Sequence, residues 1–141
     1  MRKLTLILTT LIFFSVMSSS TSFAGWKKVG EDVDGTAYVD FERIKKHDGY
    51  VYYWELIDFL KPTPYGDLSA KAYTQGDCKK FRYKWLSFSY HKEPMGGGVS
   101  PYGSGEPPEG FKGWKYPSPD SSGEYVLKTV CQYASILPLT Q

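Results

Sequence analysis

The chain has 141 residues, with 17 Lys and Arg, 15 Asp and Glu, two cysteines, two histidines and no asparagine. This length indicates one domain, and a formal charge of +2 is too small for a nucleic-acid binder, so no such partner is expected. Two cysteines cannot form a four-thiolate zinc site or hold an iron–sulfur cluster. The 24 aromatic residues and the charged fraction of 23% argue against a disordered chain.

Residues 1–24 have the pattern of a signal peptide. A basic start, Arg2-Lys3, precedes an apolar run over residues 4–17, and Ala24 ends a small-x-small cleavage pattern. The apolar run is about 14 residues long, short of the roughly 20 that span a bilayer, so an uncleaved anchor is the less favoured alternative. We expect residues 25–141 to be one exported domain with no membrane span, carrying 15 basic and 15 acidic residues and no net charge.

The two cysteines, Cys78 and Cys131, predict one disulfide bond. Export places both thiols in an oxidising compartment, where an even cysteine count favours pairing. Closing a loop of about 50 residues stabilises a fold by about 4 kcal/mol in the chain-entropy model. A redox pair is the alternative, but such pairs usually occur as Cys-x-x-Cys, which this sequence lacks.

Alternating patterns predict strands over most of the mature chain, at residues 26–29, 36–41, 50–60, 68–76 and 81–91. The third of these has apolar residues on both faces, which is typical of a central strand. In the last strand the alternation slips by one residue after Trp85, which predicts a bulge there. One helical turn is expected at residues 42–46.

The C-terminal part of the chain predicts a long loop and a helix. Residues 94–119 are rich in glycine and proline, with a short strand expected at 111–116. Ser121 and Glu124 form a capping box, and an apolar face predicts a helix to about Ser135. The sequence therefore predicts an α+β domain: an antiparallel sheet of about six strands with a C-terminal helix packed on one face and tied by the disulfide.

No catalytic constellation stands out in the sequence. His47 and His91 are isolated from other ligand-type residues and are interpreted as surface residues. We therefore expect a non-enzymatic protein without a metal or cofactor. The alternative, an enzyme or small-ligand carrier, requires a deep pocket that holds one of these histidines beside a carboxylate.

Two groups of residues are candidates for contact with a partner. The densest basic cluster and the aromatic residues of the long loop contribute Lys79, Lys80, Arg82, Lys84, Tyr102, Phe111, Trp114 and Tyr116. The competing interpretations are a solvated sheet face for the basic residues and a cover over the sheet for the aromatic ones. Most of the remaining aromatic residues are expected in the core.

An ordered set of short marks runs along the mature chain. The marks are Trp26, Tyr38-Val39-Asp40 with Ile44, Trp54-Glu55-Leu56-x-Asp58, Ser69-x-Lys71, Asp77-Cys78, Met95-Gly96 to Gly98, Trp114 with Pro117-Ser118, and Val130-Cys131. In this order they resemble the surface-adhesin protein E family of Gram-negative bacteria. The resemblance covers nearly all of the mature chain.

The resemblance implies an adhesin that binds host matrix proteins such as vitronectin and laminin, and a homodimer is one of the states it implies. The family's named member is similar to a lipoprotein, whereas this chain has no cysteine at the expected cleavage site. The loop at residues 64–67 also lacks a basic pair, so matrix binding would require another surface, such as residues 79–84. The alternative is a periplasmic structural or envelope-associated protein, and the expected location is periplasmic, secreted or cell-surface.

Overall fold

The computed structural model describes residues 25–98 and 105–138 of the chain. The expected signal peptide and Tyr102 lie outside the described residues. The elements are β1 (Trp26–Glu31), β2 (Gly35–Asp40), β3 (Lys45–His47), β4 (Tyr50–Phe59), β5 (Ser69–Asp77), β6 (Arg82–His91) and α1 (Ser122–Ile136), with 3-10 turns at Phe41–Arg43, Pro94–Gly96 and Glu109–Phe111.

The strands form a single antiparallel sheet in the order β1-β2-β4-β5-β6, and β3 pairs with the first part of β4. Short connections of two to four residues join β1 to β2, β3 to β4 and β5 to β6, whereas residues 60–68 join β4 to β5. The helix follows at the C-terminus and packs against β1, β2 and β4. The predicted α+β architecture of about six strands and one C-terminal helix is confirmed.

The predicted bulge in the last strand is also confirmed. Tyr73 of β5 pairs with Ser87, but the next residue, Thr74, pairs with Trp85, so that Leu86 has no partner in the register. An extra residue in one strand shifts every later side chain to the other face. The slip in the sequence alternation after Trp85 therefore reflects this change of sheet face.

Two local predictions are wrong. The helical turn expected at residues 42–46 is a 3-10 turn at Phe41–Arg43 followed by the short strand β3, because residues 45–47 pair with β4. The short strand expected at residues 111–116 is a 3-10 turn and one bridge between Lys115 and Tyr83. A second bridge joins Gly105 to Phe88, and both bridges lie along the outer edge of β6.

The two faces of the sheet have different environments. On one face, the helix face, Val51, Tyr53 and Ala37 form a core with the helix residues Val126 and Val130. Ser121 caps the helix by accepting a hydrogen bond from the Glu124 N–H at 3.2 Å. We call the other face, where the alternate residues of the strands lie, the open face; within residues 25–98 and 105–138, no α-helix covers it.

Most aromatic residues are not in the core, in contrast to the expectation from composition. Among the described aromatic residues, only Tyr53 is buried, at 1% exposure. The reason is geometric, because one helix covers only part of one face of a six-stranded sheet. Most of the remaining described rings are half-buried, on both faces of the sheet and on the helix, whereas Tyr65, Phe111 and Tyr116 are exposed.

The predicted disulfide is present. Cys78 and Cys131 are joined with a Cα–Cα distance of 5.7 Å. Cys78 follows β5 and Cys131 lies within α1, so the bond holds the helix on the sheet across a sequence separation of 53 residues.

None of the helices in the described part of the chain is long and apolar enough to span a bilayer.

Removal of the disulfide has a predictable cost. We expect Cys78→Ser/Cys131→Ser to lower the free energy of unfolding by about 4 kcal/mol, because the unfolded chain regains the entropy of the open loop. Urea denaturation of the oxidised protein and the double variant measures this difference. A loss below about 1 kcal/mol would contradict the chain-entropy account, and labelling of free thiols in the denatured, unreduced protein is the control for full oxidation.

Candidate functional site

The basic residues lie at the turn between β5 and β6. The backbone N–H groups of Lys79 and Lys80 donate to Asp77 Oδ1 at 3.2 and 3.1 Å, which fixes the turn. Both lysine residues are exposed. Burial acts to raise the pKa of Asp77, but hydrogen bonds from Lys80 and from Arg82 outweigh it and lower that pKa. The ionised carboxylate is therefore a stable anchor for the turn.

The next two basic residues of the cluster hold an aromatic ring. Arg82 donates through Nε to Asp77 Oδ2 at 3.0 Å, and its guanidinium lies 4.3 Å from the centroid of the Trp114 ring. Lys84 Nζ lies 4.9 Å from the same centroid, and Tyr50 packs on this ring at 5.7 Å. Two cation–π contacts therefore fix Trp114 over the end of the open face.

The structure brings six of the eight candidate contact residues together. Tyr116 is 68% exposed and interacts electrostatically with Arg82, so it extends the surface formed around the turn. Phe111 lies elsewhere, stacked on Trp85 at 5.3 Å on the helix face. Tyr102 lies outside the described residues. We name the surface formed by the six grouped residues the basic turn: Lys79, Lys80, Arg82, Lys84, Trp114 and Tyr116.

A row of rings on the open face was not identified from the sequence. The Arg43 guanidinium lies 5.9 Å from the Trp26 ring and 5.3 Å from the Trp54 ring. Tyr73 continues the row, with its centroid 5.2 Å from that of Trp54 and 6.3 Å from that of Tyr52. The signal was present as aromatic residues at alternate positions of β4, but alternation does not show which face of a strand is covered.

The histidines differ in environment. His47 is exposed as expected, and its Nε2 lies 3.0 Å from Asp48 Oδ2 at the rim of a surface groove of about 540 Å³. The side chains of this pair are 72% and 80% exposed, so the pair lies in solvent rather than in a deep pocket. The interpretation of His91 as a surface residue is wrong, because β6 and the following loop bury it. Its Nε2 lies 2.8 Å from Ser89 Oγ, and both side chains are too buried for a substrate to reach.

The family model for surface-adhesin protein E matches residues 26–132. The chain belongs to the surface-adhesin protein E family. The predicted resemblance is confirmed, since the matched segment contains every mark from Trp26 to Cys131. Family membership supports an adhesin-like role for the protein.

Solved structures of Haemophilus influenzae protein E share the fold. Crystal form II of that protein is 17% identical, with a TM-score of 0.57, over 79% of this chain and 91% of that chain. A further structure of the same protein is 17% identical, with a TM-score of 0.56, over 82% and 90%. Protein E from non-typeable H. influenzae is 16% identical, with a TM-score of 0.54, over 83% and 82%. No curated protein matches this sequence.

One mark of this surface-adhesin protein E domain includes a buried acid, Glu55. Its Oε1 accepts hydrogen bonds from Thr74 Oγ1 at 2.9 Å and from Trp85 Nε1 at 2.5 Å. Burial raises the pKa of Glu55 to about 7, against the opposing effect of these two hydrogen bonds. The residue lies close to an apolar groove of about 620 Å³ on the helix face, between Phe111 and the start of α1 at Ser122.

Stability should depend on the protonation of Glu55. Because its pKa rises from 4.5 to about 7 on folding, the folded state binds more protons between these values, and stability falls as pH rises through this range. Glu55→Gln mimics the protonated acid. We therefore expect the decrease in unfolding free energy over this pH range to be smaller by about 3 kcal/mol in the variant than in the native protein. Urea denaturation at about pH 5 and about pH 8 measures it, since the two values lie on either side of most of this range.

The exposed Glu42→Gln is the matched control for this experiment, because it removes the same charge from the surface. Equal pH dependence in the native protein and in Glu55→Gln would show that other groups determine the decrease.

Proposed function

We propose that the mature domain is a non-enzymatic adhesin that binds host extracellular-matrix proteins through the basic turn. The observation that carries the proposal is the family match over residues 26–132. In this domain two exposed neighbouring cations, Lys79 and Lys80, lie on a turn fixed by Asp77. An ordered turn presents its charges to a partner with little further loss of conformational entropy.

The contacts within the basic turn divide its residues into two roles. Arg82 and Lys84 are engaged with Trp114, so they hold the surface in shape rather than lying free for a partner. Lys79, Lys80 and Tyr116 form the accessible part. An exposed tyrosine beside two lysines suits an acidic protein segment, because the ring supplies contact area and the ammonium groups supply charge complementarity.

The environments of the histidines support a non-enzymatic role. The His47–Asp48 pair lies in solvent, and the described residues contain no third group that orients it toward a nucleophile. Ser89 contacts His91, but both side chains are buried beneath β6 and the loop that follows it. General acid–base catalysis requires a base within hydrogen-bonding reach of a bound substrate, and neither arrangement provides that.

Binding to immobilised vitronectin and laminin tests the proposal. We expect saturable binding of the mature protein, residues 25–141, and a weakening of about tenfold in Lys79→Glu/Lys80→Glu, because the change reverses charge at the accessible cations. The measurement is biolayer interferometry with the disulfide-intact protein. Lys45→Glu/Lys128→Glu is the matched control, since it changes net charge equally at two exposed lysines elsewhere.

The outcomes separate the adhesin from its alternative. Absence of saturable binding at micromolar concentration, or equal weakening by both double variants, contradicts binding at the basic turn. Protease treatment of intact cells then addresses location, because a surface adhesin is cleaved whereas a periplasmic envelope-associated protein is protected. Light scattering of the same preparation determines whether the domain is the homodimer that the family resemblance implies.

A further inference from the structure

The open face contains a shelf of rings whose purpose the basic turn does not explain. Trp54, Tyr73 and Tyr52 lie side by side on neighbouring strands and are half-buried, with interplanar angles of 35° and 31° between successive rings. Gln75 Nε2 donates to Tyr52 Oη at 3.0 Å and fixes the last ring of the row. No α-helix covers the three rings within the described residues, and each ring remains partly accessible to a ligand.

Two cations border this shelf, and the first is Arg43. Its Nε pairs with Asp40, which places the guanidinium between the Trp26 and Trp54 rings. The Arg43 side chain remains 51% exposed, so its terminal N–H groups are accessible. A guanidinium has five N–H donors, and the single pairing through Nε leaves the others for a ligand.

The second cation is Lys71, on β5 opposite Leu56 and Ser89. A Cβ on Gly96 would lie 2.9 Å from Lys71 Cδ, so the loop packs closely on the lysine stem. No carboxylate forms an ion pair with Lys71 in residues 25–98 and 105–138. Burial, with the like charge of Arg43, lowers the pKa of Lys71. An anion bound between the two cations would relieve their repulsion.

We propose that the open face binds an acidic carbohydrate, with sugar rings stacked on Trp54 and Tyr73 and a carboxylate held between Arg43 and Lys71. The face of an aromatic ring carries partial negative charge and attracts the polarised C–H groups of a pyranose ring. Arginine is suited to bidentate hydrogen bonding with a planar carboxylate. The combination of partly exposed aromatic rings with two neighbouring cations, of which Arg43 is paired with Asp40 and Lys71 forms no ion pair within the described residues, matches a uronic-acid sugar.

Other occupants fit the open face less well. A nucleic acid requires a strong basic excess, and the mature domain carries none. An added peptide strand pairs with the edge of a sheet rather than with its face. A second copy of this chain in a symmetric face-to-face contact would bring a further set of Arg43 and Lys71 cations to the same interface and no additional anion to balance them beyond its own Asp40. The acidic sugar is favoured because its carboxylate supplies a charge partner for Lys71, which forms no ion pair within the described residues.

Titration with two oligosaccharides tests the proposal. The probes are hyaluronan oligosaccharides, which carry uronic acids, and neutral N-acetylglucosamine oligosaccharides of the same length. Calorimetry gives the affinity, and tryptophan fluorescence reports contact with the shelf. We expect the native mature protein to bind the acidic probe at least about tenfold more tightly than the neutral one, because charged hydrogen bonds form only with the acidic probe.

Variants then locate the site. We expect Lys71→Gln and Arg43→Gln each to weaken binding of the acidic probe by about tenfold, and Trp54→Leu to weaken binding of both probes. Lys79→Gln/Lys80→Gln is the matched control and should leave both affinities unchanged, because it removes two cations from the basic turn. Thermal unfolding of each variant establishes that it folds, and Lys71→Gln retains the lysine stem length closely enough to preserve packing against Gly96.

Four results would overturn the proposal. They are absence of saturable binding to the acidic probe, equal affinity for both probes, equal weakening by the control variant, and a dimer that protects Trp54 from quenching in the absence of sugar. The proposal is independent of protein binding at the basic turn, since Lys79→Glu/Lys80→Glu tests one surface and Lys71→Gln the other. Failure of matrix binding with retention of sugar binding would therefore contradict only the proposed adhesin function.

Discussion

The packing of α1 on one face of the sheet is the contact on which the rest of the structure depends. Glycines on the sheet allow the helix to approach it closely. A Cβ on Gly30 would lie 2.5 Å from the Tyr125 ring, and one on Gly76 would lie 3.0 Å from Leu127. The Cys78–Cys131 bond then keeps the corresponding segments of the chain close together even in the unfolded state. One helix is too narrow to cover six strands, so the groove beside α1 follows from this contact, and the opposite, open face has no helix within the described residues.

Cations hold the rings that the helix leaves uncovered. Arg43 lies against two tryptophan rings, and Arg82 and Lys84 lie against Trp114. Guanidinium and ammonium groups can cover an aromatic face while remaining hydrated, which an aliphatic side chain cannot do. The protein thereby keeps large rings ordered at a surface without burying them, which suits a role in binding.

The sequence predicted those features that local pattern determines. Period-two alternation located the long strands, the slip after Trp85 located the bulge, and the Ser121 capping box located the start of the helix. The strand β3 was missed because its three residues, Lys-Lys-His, have no apolar alternation and become a strand only by pairing with β4. The separation of Phe111 from Trp114 was also missed, since loop conformation decides which face each ring reaches.

The two bridges from the long loop to β6 limit strand pairing between separate molecules. Hydrogen bonds from Lys115 and Gly105 occupy backbone groups on the outer edge of the last strand, which a strand of another molecule would otherwise use. At the opposite edge, β1 has a register shift beside Lys28 and exposed lysines at positions 27 and 28. Irregular, charged edges discourage strand addition. Both edges of the sheet are thus poorly suited to pairing with a strand of another molecule, which protects the protein from edge-to-edge aggregation.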